Sequence, residues 1–134
     1  MQLENILYAA VQIAHNFGAA AVTGLPIAAL WFAPARPPLR KMAWLTLLAW
    51  LTQGASGAGF GTVSFLMEGQ LPQIHNLALA ALGVKIVCAV LAIALLTISL
   101  LVRVEEASDK RVWASLAILG MTALTCAAVL RWFS

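Results

Sequence analysis

Four apolar stretches, Ile6–Ala33, Met42–Met67, His75–Val102 and Val112–Phe133, make up most of this 134-residue chain. Each exceeds the roughly 20 residues that a helix needs to cross a bilayer. A backbone in hydrocarbon must satisfy its own N–H and C=O groups, so runs of this length fold as helices. The links between them are short, which leaves no soluble lobe and makes sequence neighbours antiparallel. The expected fold is therefore all-α, an integral membrane up-down four-helix bundle forming a single domain over residues 1–134. Composition agrees: 63 % hydrophobic and 10 % charged residues is too apolar for a soluble domain of this size. The first stretch is also too long for a signal-peptide core and has no basic residue before it, so it is expected to stay as a membrane helix.

The net charge of +3 could suggest nucleic acid, but the distribution of charge argues against that partner. Arg36, Arg40 and Lys41 fall in the first link, and Arg103, Lys110 and Arg111 flank the third. The second link, Glu68–Ile74, has no Lys or Arg. By the positive-inside rule the first and third links face the cytoplasm and both termini face the periplasm. Tyr8 and Trp132 then fall at the outer interface, and Trp31, Trp44 and Trp113 at the inner one. Trp50 lies deeper, where packing is its expected role.

Lys85 sits in the third stretch, and no acidic residue lies within any of the four. A cation at membrane depth costs roughly 3 kcal/mol on insertion scales. Three explanations are open: the amine is neutral, it reaches a polar crevice, or a ligand or another subunit supplies the counter-charge. On the first helix Gln12, His15, Asn16, Ala19 and Thr23 recur at three- and four-residue spacing, forming one polar and small face. Counted along the axes, His15 and Lys85 each lie about 15 Å from the outer helix ends. Gln53, entering from the other side, is also near the midplane, with Ser56 one turn on. Amides and hydroxyls at such depth commonly serve as interhelical hydrogen bonds worth about 0.6 kcal/mol each; a lysine is not needed for that. His15 and Lys85 are the leading candidates for function, with Gln12, Asn16 and Gln53 around them.

The remaining features have plainer readings. Gly57 and Gly61 have the spacing of a close-packing helix face. Pro26 frees a carbonyl one turn back, near Val22. Cys88 and Cys126 differ in depth by about 10 Å and are expected to be free thiols. His75 is an interfacial histidine on the outer side, where Met67 could join it in a soft metal site.

The stretch His15-Asn-Phe-Gly-Ala-Ala-Ala-Val-Thr-Gly24 resembles the first helix of CopD-type copper-resistance membrane proteins, in which a helix-one histidine is followed by Trp-x-Gly. Val22 stands here in place of that Trp. Leu82-Gly-Val-Lys85-Ile resembles the lysine-bearing third helix of the same family. A helix-one histidine with a helix-three lysine is also similar to the HemJ-type four-helix proteins, a family that binds b-type haem. These resemblances imply a bacterial inner-membrane protein. They imply either haem b with His15 as axial ligand and Lys85 at a propionate, or copper handling through His15, His75 and Met67. A quinone head group at the same level, with His15 and Lys85 as proton-transfer partners, is a variant of the redox reading. An accessory subunit of a larger membrane complex, Lys85 meeting a partner's acid or a lipid head group, is the non-catalytic alternative.

The orientation is directly testable. A cysteine placed at Gln70 should react with an impermeant maleimide from outside, and one at Ser108 only after permeabilisation. The reverse pattern would invert every depth assignment above.

Overall fold

A computed structural model describes residues 2–32, 39–70, 76–101 and 110–133. They form four α-helices: α1 (Gln2–Phe32), α2 (Leu39–Glu68), α3 (Asn76–Leu101) and α4 (Lys110–Phe133). At 24 to 31 residues, the helices are about 36 to 46 Å long. α1, α3 and α4 are long and apolar enough to cross a membrane. α2 is long enough but less apolar, because Thr52, Gln53, Ser56, Thr62, Ser64 and several glycines dilute it. Helices begin two to four residues earlier than the apolar runs suggest at α1, α2 and α4, where Gln2, Leu39 and Lys110 open the helical backbone. Pro34, Pro37, Pro38, Pro72, Ser108, Asp109 and His75 lie outside the described residues.

The helices pack in a square, α1 on α2 and α4, α3 on α2 and α4, so that α1/α3 and α2/α4 are the diagonals. Contacts across α1 and α2 run in opposite directions: the Cβ positions of Gly59, Gly57 and Gly18 face Val11, His15 and Gln53 in turn. That is an antiparallel register. α2 closes on Gly69, whose φ of +70° suits glycine and whose N–H reaches the Phe65 carbonyl at 3.1 Å. Asn76 opens α3 at φ 48°, a left-handed conformation that asparagine tolerates.

The interior is built from small residues with a few large ones. Ala29, Ala43, Ala49, Ala92 and Ala123 are buried with Trp50, Leu96, Trp113 and Leu116. The outside carries large apolar side chains: Ile13, Phe17, Leu48, Leu66, Leu79, Val90 and Ile118 are all exposed. Trp31 and Trp132 are exposed as an interfacial belt requires, but Trp113 is 1 % exposed and belongs to the core. Among the described core residues, the cluster runs through Val22–Ala29, Ala43–Trp50, Cys88–Leu100 and Trp113–Ala123, which is the half of the bundle near the first and third links.

The tightest backbone contact joins α1 to α4. A Cβ on Gly120 would stand 2.5 Å from the Val22 carbonyl oxygen and 3.2 Å from Thr23 Cα. Val22 is four residues before buried Pro26, which has no N–H to give that carbonyl. Glycine lets α4 lie directly against the turn that the proline disturbs. Gly120→Ala should therefore push backbone from backbone and destabilise by about 1–3 kcal/mol. Gly83→Ala, where nothing lies within 4 Å, is the control and should be neutral or slightly stabilising. Unfolding of the two variants in detergent decides it.

Candidate functional site

His15 occupies the middle of α1, and three side chains from two other helices converge on its ring. From α2, Ser56 Oγ lies 2.8 Å from Nδ1 and Gln53 Nε2 lies 3.0 Å from Nε2. From α3, Lys85 Nζ lies 2.9 Å from the same Nε2. The last contact spans the α1/α3 diagonal, which a flexible four-carbon stem can bridge. Phe60, one turn beyond Ser56, meets the imidazole edge-on with centroids 5.4 Å apart and planes at 78°. Gly57 lies under the ring, where a Cβ would be 3.8 Å from Cε1. The expectation that His15, Lys85, Gln53 and Ser56 share one level is met by direct contact.

The hydrogen-bond partners assign the protons. Ser56 has one hydroxyl hydrogen, and Oγ places it on the Thr52 carbonyl at 2.7 Å. Oγ is then an acceptor toward the ring, so Nδ1 carries a hydrogen and donates to it. At the other nitrogen the Gln53 NH2 and a protonated Lys85 amine are both donors, and Nε2 then accepts. The two ends agree on one state: a neutral imidazole protonated at Nδ1. Its single Nε2 lone pair is shared by Gln53 and Lys85.

Other candidates are not brought together. Gln12 Nε2 donates to Asn16 Oδ1 at 2.7 Å, and both residues are exposed. The spacing rule grouped them with His15, but at about 100° per residue Asn16 is turned away from the His15 direction. Met67 is exposed near the end of α2, eleven residues beyond Ser56, which is about 16 Å along the axis. His75 lies outside the described residues. Cys88 and Cys126 are free thiols, and Cys126 stands within electrostatic reach of both Cys88 and Lys85. Of the two glycines expected to pack, Gly57 meets α1 beside His15; Gly59, which the spacing did not select, makes the closer contact, 3.4 Å to Val11.

Phe60 was missed in the sequence, although its four-residue spacing from Ser56 places it on the same helix face. Gly18 was missed as well. A Cβ there would come 2.7 Å from Gln53 Oε1, so glycine is what lets Gln53 pass α1 to reach His15.

Haem b fits this arrangement poorly. Axial ligation needs the Nε2 lone pair, which Gln53 and Lys85 share. No group of three or more His, Cys, Asp or Glu side chains able to hold a metal occurs among the described residues, and His75 of the copper expectation lies outside them. A cation at Nε2 would also face Lys85 Nζ.

Comparison of the chain with family models, curated proteins and solved structures finds no match. The resemblances drawn above rest on the quoted residues alone.

The proton assignment gives a prediction. Imidazole ¹⁵N shifts of His15 should show Nδ1 protonated and Nε2 bare. Ser56→Ala should leave Nδ1–H without its acceptor, lowering stability by about 1–2 kcal/mol. Finding Nε2 protonated in the native protein would overturn the assignment.

Proposed function

We propose that this protein is a small membrane redox protein, or a subunit of a membrane redox complex, in which His15 and Lys85 bind and protonate the carbonyl oxygen of a lipid-soluble quinone. The four helices would all span the inner membrane of a bacterium, with both termini periplasmic. The exposed aliphatic surface and the three strongly apolar helices support membrane residence. α2 lies antiparallel against α1 and is equally long, so it would be carried through with its neighbours.

The observation that carries the reading is the 2.9 Å contact of Lys85 Nζ with His15 Nε2, in a chain with no carboxylate in any apolar run. An amine bonded to a neutral imidazole keeps further N–H donors for an incoming oxygen. As that oxygen gains electrons from a redox partner, Lys85 is placed to give it a proton. Nε2 of His15 is placed to hold the proton that resupplies the amine. Gln53 and Ser56 hold the ring and fix which nitrogen exchanges protons. The apolar core seals the bundle toward the first and third links, so protons and quinone would approach from the other half or from the side.

The test is purification and reconstitution with a short-chain quinone. Binding should be seen in the native protein and should weaken about tenfold or more in Lys85→Met, which removes a charge-assisted hydrogen bond. Lys85→Met should insert into membranes at least as well as the native chain, since the lost cation opposes insertion. A Soret band on the purified protein would assign haem instead, and stoichiometric copper would assign copper. Stable co-purification with a subunit whose acid meets Lys85, without quinone binding, would make the protein an accessory subunit.

A further inference from the structure

Gln53 is only half satisfied. Its Nε2 donates to His15, but Oε1 has no hydrogen-bond partner, although the residue is only 5 % exposed. Buried amide oxygens without a donor are rare because nothing replaces the water they have lost. The opposite amide orientation is no remedy. It would leave a buried NH2 without an acceptor in place of the unpaired oxygen.

Beside this amide lies a cavity of about 10 Å³, lined by Ala19, Val22, Gln53, Ala123, Leu124 and Ala127. That is the space one water occupies. Apart from Gln53, no lining side chain can donate or accept a hydrogen bond. Val22, however, brings a second acceptor, because its carbonyl is the one that Pro26 leaves without an N–H. An unpaired amide oxygen and the carbonyl opposite the proline thus belong to two residues that line a cavity of one-water size. Two neutral oxygens in an aliphatic wall are too few for a metal ion, which takes six or more oxygen ligands when they are hard and neutral or anionic. They suit a small neutral molecule with two hydrogens to give.

We infer that this cavity is the binding site of a single water that donates to Gln53 Oε1 and to the Val22 carbonyl. The water fixes the Gln53 amide so that Nε2 points at His15, and through it holds the imidazole as an acceptor at Nε2. Ala19 and Leu124 also line the open groove between α1 and α4, together with Asn16, Ala20, Thr23 and Gly24. Exchange of the water runs through that neck. The site links the Pro26 turn of α1 to the orientation of the functional histidine, and it stands independently of quinone binding.

Water-edited solid-state NMR on the protein in lipid tests the inference. Cross-peaks from a slowly exchanging water should reach the Gln53 side-chain amide and the Ala123 methyl group. Ala123→Val should expel the water, abolish the Gln53 cross-peak and lower Tm. Ala123→Ser should keep Tm closer to the native value, since its hydroxyl can donate to Gln53 Oε1 in the water's place. Absence of the cross-peaks in the native protein would overturn the inference. So would retention of the Gln53 cross-peak in Ala123→Val, or a rise in its Tm, as filling a dry apolar void would give. Loss of the water signals when sodium replaces choline at constant ionic strength would name an ion as the occupant and equally overturn it. None of these signals requires a quinone, so failure of the redox proposal would leave them unchanged.

Discussion

A lysine within an apolar helix must be met by something, and here the group it meets is the His15 imidazole rather than an anion. The contact of Lys85 Nζ with His15 Nε2 crosses the long diagonal of the bundle. That geometry constrains everything around it. His15 must be held on its far side so that Nε2 faces inward, which Ser56 does through Nδ1. α1 and α2 must approach closely enough for that bond, which Gly18, Gly57 and Gly59 permit. The glycine-rich segment of α2 is thereby tied to the placement of one imidazole.

The bundle divides into two unlike halves. Toward the first and third links, Trp50, Trp113, Leu96 and Leu116 fill the centre, and two hydroxyls there turn back on their own helices: Thr46 bonds the Met42 carbonyl and Ser99 the Leu95 carbonyl. Toward the termini the interior holds His15, Gln53, Ser56, Ser64 and Lys85. Interhelical polar contacts are thus concentrated in one half, while the other is stabilised by close packing of small and aromatic residues. A packed plug on one side and a hydrogen-bonded site on the other is the arrangement expected where protons must come from one face only. The polar residues of α2 include the partners that His15 of α1 needs.

Much of this was legible in the sequence. Run lengths gave the four helices, and depth counts on three of them put His15, Gln53 and Lys85 at one level, because rise per residue is nearly invariant. What failed was azimuth. Residues at three- and four-residue spacing share a broad face, but His15 and Asn16 diverge by about 100°, enough to send one into the bundle and the other out to pair with Gln12. Trp113 was read as interfacial by its depth alone, and the same missing angle explains its burial. The role of Gly18 was hidden for another reason: a glycine's importance lies in what approaches it, and Gln53 is distant in sequence.

The two central residues are chemically unequal, which bears on what the site can be. Without Lys85, the Nε2 lone pair of His15 would still have Gln53 as donor and Nδ1–H would still have Ser56, so the ring would remain satisfied. Without His15, the Lys85 amine would lose the acceptor it meets at 2.9 Å, at a depth where the apolar runs supply no carboxylate. The histidine is therefore the fixed element, held by bonds independent of the lysine, and the lysine is the element free to turn toward another acceptor. A metal site needs the opposite, a free imidazole lone pair and no cation beside it. A mobile donor against a fixed base is the arrangement that proton transfer to a bound oxygen requires.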